Sequence, residues 1–234
     1  MPPRISILLP PSEGKAVGGD DPPWAPGAAS LPALDEARAI VAAAAGLRLG
    51  DEPTMPAIQR YTGVLYRALD WPSLPPGAKR RGRASLLVFS GLWGAVSPHD
   101  PIPYYKLKMS ASLDGLGRLS TWWRPRLDEA LAPALRNRTV WDLLPQEHAA
   151  AWTPSASPCR RRIVVRFVDR RGVTVSHWNK LLKGALVRHL LVAPTADPLD
   201  LAGWAHPAGY HLDVGGSELD GDPVRVVFRE GYGH

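Results

Sequence analysis

Two short apolar runs, each stopped abruptly by a rigid polar loop, restrict what this chain can fold into. Ile5-Ser6-Ile7-Leu8-Leu9 ends in Pro10-Pro11-Ser12-Glu13-Gly14-Lys15, and residues 84–89 end in Ser90-Gly91-Leu92-Trp93-Gly94. Short apolar runs bounded by turn formers read as buried strands. The prolines and glycines then restrict the backbone where each run stops. A polar, constrained loop at the end of a buried strand is where α/β proteins place ligands. A plain strand–loop–strand crossover without chemistry stays open at this point.

Both loops carry reactive groups. The first has Ser12, Glu13 and Lys15 within four residues. The second continues through His99 and Asp100 to Tyr104-Tyr105-Lys106-Leu107-Lys108-Met109. There, polar and apolar residues alternate, which predicts a further strand with Tyr104, Lys106 and Lys108 on one face. Lysine is scarce: six of the 28 basic residues are Lys, and Lys15, Lys106, Lys108, Lys180 and Lys183 all lie in segments singled out by motif or pattern. A compact ammonium with a tunable pKa differs physically from a guanidinium fork. A carboxylate and an ammonium in a dry pocket shift each other's pKa and can transfer protons or hold a phosphate or a base. Glu13, Lys15, Asp100 and Lys106 are therefore the candidate catalytic residues, with Lys15 expected beside Glu13 or Asp100. Ser12, Tyr61, Gly63, Tyr66, Ser90, Gly91, Tyr104 and Glu147 are candidate ligand contacts. An ion-pair network that only pins strand ends together is the alternative.

At 234 residues and 25.4 kDa the chain can bury a full core, and one domain over residues 1–234 is expected. Arg4 and the shortness of the run after it argue against a signal peptide or a membrane span. The single cysteine, Cys159, has no internal partner, which suits a reducing, cytoplasmic setting. No phosphate-loop, dinucleotide, nucleophile-elbow or paired-cysteine motif occurs, and His99, His148, His177, His189, His206, His211 and His234 show no metal-ligand spacing. Neither a metal nor a cofactor is expected.

Helices are expected over 32–46, over 56–69 with a bend at Gly63, over 119–136 and over 177–192, with a short one at 198–204. Strands are expected at 139–144, 163–168, 173–176, 210–214 and 224–229, the second and third as a hairpin. Residues 71–83, rich in Pro, Gly and Arg, read as a loop. Strands and helices interleave without strict βαβ order, so the fold class is α/β with a mixed sheet and flanking helices.

The formal charge is +6 and the pI about 9.7, which favours anionic partners. Basic clusters lie at 79–83, 136–138, 160–162 and 166–171, whereas the chain beyond Asp197 is acidic. If the central clusters share a face, they suit a phosphate backbone. Scattered surface charge is the alternative.

Leu8-Leu9-Pro10-Pro11-Ser12-Glu13-Gly14-Lys15, Tyr61-Thr62-Gly63-Val64-Leu65-Tyr66 and the stretch from Ser90 to Met109 resemble signature segments of the bacterial YaaA family, associated with peroxide stress. The likeness runs over nearly the whole chain. A family segment ending in Glu-Tyr is matched at 144–148 only by Glu147, and a Lys-x-x-Arg-Gly helix segment by Lys180-Leu181-Leu182-Lys183-Gly184. Trp93, His148 and Lys183 depart from the family pattern, which marks a divergent member. The resemblance implies a YaaA-like fold and a cytoplasmic DNA-binding protein of the oxidative stress response, with a helix–hairpin–helix-like element. Residues 162–188 are the candidate for that element, with Arg160, Arg161, Arg162, Arg170, Arg171 and Arg188 as nucleic-acid contacts. It also adds Lys180 and Lys183 to the ligand contacts. The residues themselves leave open an enzyme acting on a nucleobase, nucleoside or nucleotide. They leave the oligomeric state open as well.

Overall fold

The computed structural model describes residues 3–175 and 178–231. Its frame is a seven-stranded sheet: β1 (Ile5–Leu9), β2 (Leu86–Ser90), β3 (Gly94–Val96), β4 (Thr139–Asp142), β5 (Arg161–Val168), β6 (Tyr210–Leu212) and β7 (Val224–Glu230). The spatial order is β6-β7-β5-β4-β1-β2-β3. The five inner strands are parallel. The two edge strands run antiparallel to their neighbours. Parallel strands need both faces covered, which is why β1 and β2 read as continuous apolar runs and are buried throughout.

Seven α-helices among the described residues supply that cover: α1 (Asp35–Ala44), α2 (Ala57–Arg60), α3 (Val64–Leu69), α4 (Pro76–Ser85), α5 (Leu119–Leu135), α6 (Gln146–Ala149) and α7 (Asn179–Val192). The expected helix over 56–69 is two helices, broken at residues 61–63. Gly63 is required there, because a Cβ would lie 2.6 Å from the Cβ of Ser12.

Three expectations fail in whole or in part. The segment 71–83 is not a loop: α4 starts on Pro76, whose missing N–H costs nothing in a first helical turn. Gly82 inside it lets the Trp71 ring approach to where a Cβ would sit 2.5 Å away. Residues 104–109 form no strand, yet their side chains alternate as expected, with Tyr105 and Met109 buried and Tyr104, Lys106 and Lys108 exposed. The expected hairpin forms in its described part without a regular second strand: Val168 and Thr174 make an antiparallel bridge, flanked by bonds from Val175 N–H to Phe167 O and from Asp169 N–H to Val173 O, both at 2.9 Å. Ser176 and His177, at its end and at the expected start of α7, lie outside the described residues, as does His234.

The chain leaves β1 for β2 on one side and later returns to β4 on the other. The carboxyl ends of β1 and β4 therefore flank a topological switch point, the position at which open α/β sheets form a crevice. Helices α3 and α7 cross beside it, with Gly184 at the contact: a Cβ there would lie 2.3 Å from the Leu65 carbonyl oxygen. Gly184→Ala should therefore destabilise the protein by about 1–3 kcal/mol through overpacking. Gly50→Ala, at a site with nothing within 4 Å, should stay within about 0.5 kcal/mol. Urea denaturation of the two variants checks the difference.

Candidate functional site

Four segments distant in sequence meet at the carboxyl edge, held mainly by backbone. The loop after β1 pairs with residues 60–62: Ala16 N–H donates to Arg60 O (2.8 Å) and Thr62 N–H to Gly14 O (3.1 Å). The start of α2 donates to the central loop, from Ala57 N–H to Asp100 O and from Ile58 N–H to Pro98 O, both at 2.9 Å. The fully buried Arg60 guanidinium locks this arrangement, donating to Ile102 O, Ala16 O and Gly18 O. Gly91 lies so close to the chain at 107–108 that a Cβ would be 2.7 Å from Lys108 O.

Tyr66, within the second motif, donates from its hydroxyl to Pro10 O (2.8 Å) at the end of β1. Lys183 Nζ donates to Leu143 O (2.8 Å) at the end of β4. Tyr61, Tyr105 and Ser90 form a chain of hydroxyls, each step 2.7 Å, and Trp93 N–H donates to Ser90 Oγ. Burial pushes the Tyr61 and Tyr66 hydroxyls far above the ordinary phenol range and Tyr105 up to about 12, so all three are neutral donors.

Lys15 stands over this chain. Its Nζ donates to Ser12 O (2.8 Å) and lies 4.5 Å from the Tyr105 ring centroid and 5.7 Å from that of Tyr61. Burial lowers its pKa to about 8; nearby Glu13 opposes this, and Arg60 and Lys106 add to it. No carboxylate comes within ion-pair distance of Lys15 among the described residues. Glu13 instead pairs with Lys108 at 3.3 Å, both side chains well exposed. Asp100 is buried and used elsewhere: Oδ1 accepts from Ser30 N–H and Oγ, and Oδ2 from Ser97 N–H. The expected Lys15–Asp100 contact is therefore absent, because Asp100 closes a turn. Tyr104 is solvent-facing; the buried Tyr105 holds the position that alternation assigned to an apolar filler.

On the opposite face of the sheet the chemistry differs. Phe89 and Ser90 are consecutive in β2 and point to opposite faces; Ser90 meets Tyr105, and Phe89 meets Trp152. Asp142, ending β4, accepts two bonds from Arg162 (2.9 and 2.6 Å) and one from Leu144 N–H. Half-exposed Glu147 lies 3.4 Å from the Nδ1 of buried His148, whose pKa burial lowers to about 4.

The arginine candidates do not form one groove. Arg162 is tied to Asp142, Arg161 donates to Leu219 O, and Arg188 to Leu69 O and Asp70. Arg160–Arg162 and Arg170–Arg171 lie at opposite ends of the eight-residue β5, separated by about 25 Å. Within the described residues of 162–188 a hairpin turn after β5 is followed by α7, as the sequence suggests, but no helix precedes that turn. Lys180 is exposed on α7. Sequence reading missed Arg38 and Arg60, fully buried guanidiniums that tie loops by donating to carbonyls. Single charges in helical segments gave no signal for that role. No group of three or more His, Cys, Asp or Glu residues suited to a metal occurs among the described residues.

The family model described as peroxide stress protein YaaA matches residues 29–214. A UPF0246 protein of Streptomyces coelicolor is 39% identical, covering 93% of this chain and 95% of the relative. One from Corynebacterium glutamicum is 33% identical over 80% of this chain and 85% of its own length. An uncharacterized Campylobacter jejuni protein is 29% identical over 59% of this chain and 54% of its own length. The chain belongs to the peroxide stress protein YaaA family. No helix among the described residues is long and apolar enough to cross a membrane.

The depressed Lys15 pKa fixes a pH dependence. Between about 8 and 10.5 the unfolded chain binds a proton at this site that the folded chain has released. The Lys15 contribution therefore opposes folding below pH 8, and that opposition fades as the pH rises through the window. Lys15→Met should be at least as stable as the parent at pH 7, its advantage shrinking toward pH 10. Chemical denaturation of both proteins across this range checks it; a Lys15→Met protein that unfolds at pH 7 would make Lys15 a structural pin.

Proposed function

We propose that this member of the YaaA family binds a nucleobase, nucleoside or nucleotide at the carboxyl edge of its sheet and acts on it as an enzyme, with Lys15 as the proton-transferring group. One observation carries this reading: a partly dry ammonium, without a carboxylate at ion-pair distance among the described residues, sits at the carboxyl edge where three of the distant segments converge. A pKa of about 8 suits a group that gives and takes protons near neutral pH. The Ser90–Tyr105–Tyr61 hydroxyls beneath it are neutral and hydrogen-bonded to one another, which keeps the Tyr105 ring fixed under the ammonium. Exposed Tyr104 supplies a ring face for a base, and exposed Lys106 and Lys108 supply charge for a phosphate. Non-specific binding to a phosphate backbone would need none of the buried hydroxyl chain.

A second reading, DNA binding, is favoured by the net charge of +6 and by Arg160, Arg166 and Arg171, exposed guanidiniums without an ion pair among the described residues. Arg161 and Arg162 are poor probes of it, because they brace Leu219 O and Asp142.

Lys15→Ala should lower affinity for members of a nucleobase, nucleoside and nucleotide panel at least tenfold, and abolish turnover, without lowering the melting temperature at pH 7 and with duplex affinity unchanged. Unchanged panel binding and turnover would overturn the enzymatic reading. Replacing Arg160, Arg166 and Arg171 by Ala should weaken duplex binding uniformly across sequences and flatten its salt slope by about 0.9 for each phosphate no longer neutralised. Duplex affinity equal to the parent's, measured by fluorescence anisotropy at several salt concentrations, would remove the DNA reading from these arginines.

A further inference from the structure

Two of the basic clusters noted in the sequence, at 79–83 and 136–138, meet at the opposite edge of the sheet, where the parallel strands begin. A cavity of about 280 Å³ opens there, lined by Arg4, Arg81 and Arg138 and walled by apolar residues including Ile5, Leu190 and Pro194. The three guanidiniums come from separate places: the residue preceding β1, helix α4, and the residue preceding β4. Arg138 donates to Ile5 O (3.0 Å) and Ala84 O (3.1 Å). Arg81 donates to Leu191 O (2.7 Å) and Val192 O (2.9 Å), the open carbonyls at the end of α7. These bonds leave other N–H groups of each fork unused, since a guanidinium carries five. None of the three arginines has a carboxylate partner among the described residues.

Three positive charges gathered around one cavity repel one another, and carbonyl dipoles offset only part of that repulsion. Elsewhere the chain does supply partners for such groups: Arg162 has Asp142, Arg225 has Glu218, and Arg229 has Asp213. Three arginines around one cavity, rather than scattered over the surface, suit an anion. The apolar walls identify the rest of it, because a bare, strongly hydrated anion gains nothing from Ile5, Leu190 and Pro194. Pro194 also lines an adjoining cavity of about 440 Å³, where His189 and Trp204 stack at 4.4 Å. An apolar or aromatic body extending over Pro194 reaches toward that aromatic pair.

We infer that the amino-terminal edge of the sheet is a second binding site, for a phosphomonoester with an apolar or aromatic body. The phosphoryl group sits among Arg4, Arg81 and Arg138, for which forked guanidiniums are suited. The site lies across the sheet from Lys15 and stands independently of the function proposed above.

Calorimetric titration of the full chain with phenyl phosphate and with inorganic phosphate tests it. Phenyl phosphate should bind at least tenfold more tightly than inorganic phosphate. Arg4→Glu should weaken phenyl phosphate at least tenfold; Arg4 is exposed and its side chain ties no backbone, so the fold should persist. Ala84→Phe, which narrows the cavity and removes no charge, should weaken it as well. Lys15→Ala should leave this binding unchanged. Equal affinity for the two phosphates, or unchanged phenyl phosphate binding by Arg4→Glu, would overturn the inference. So would an effect of Arg4→Glu confined to duplex DNA.

Discussion

The carboxyl edge depends on how the open ends of β1 and β4 are closed. A parallel strand that stops leaves carbonyl groups facing the crevice, and a buried carbonyl without a donor is costly. Here Tyr66 supplies its hydroxyl to Pro10 O, and Lys183 its amine to Leu143 O. Both donors come from helices that touch at Gly184, beside Leu65. One close helix contact thus sets two capping groups at adjacent strand ends. Lys15 lies nearby, over the Tyr61 and Tyr105 rings, and the Tyr61 ring packs on that of Tyr66.

The same economy runs through the other loops. Arg38, fully buried, donates to Leu31 O, Trp93 O and Ala95 O while pairing with Asp35 at 2.6 Å. Arg60 does the equivalent for residues 16, 18 and 102. A guanidinium has enough donors, at fixed angles, to satisfy several carbonyls of irregular chain at once. That permits a protein with many prolines to keep long loops packed against its core. It also means that a count of arginines overstates the charge free to meet a partner, since Arg161, Arg162, Arg188 and Arg229 are likewise engaged within the fold.

The strands that form the frame were legible because burial on both faces leaves an uninterrupted apolar run, as in β1 and β2. Convergence of the two motif loops was legible for the same reason, since loops that follow buried strands emerge at one edge. Helix α4 was not, because its Gly82 is explained only by the Trp71 ring packed on it and its Arg81 by the end of α7. The role of Asp100 was hidden too: a carboxylate that closes a turn and one that faces an ammonium have the same local sequence. Alternation at 104–109 placed the polar tips outward correctly and still misjudged Tyr105. Its hydroxyl is a buried polar group, satisfied only by Ser90 and Tyr61 from elsewhere in the chain.

Parallel strands also give this sheet a polarity that separates its two sets of cations. At the carboxyl edge Lys15, with a pKa lowered to about 8, lies among neutral tyrosine hydroxyls and beside the buried Arg60. At the amino edge three arginines, Arg4, Arg81 and Arg138, line one cavity. In the function and the second site proposed above, the first set does the chemistry and the second holds an anion. Strands β1 and β4 run from one edge to the other, with Arg4 and Arg138 at their starts and Pro10 and Leu143 at their ends. Their pairing is rigid and buried, so an anion at the amino edge would brace the strand starts more readily than it would move the loops around Lys15. Strand direction thus keeps the two proposed sites at opposite edges of the sheet, so a ligand at one need not disturb the other.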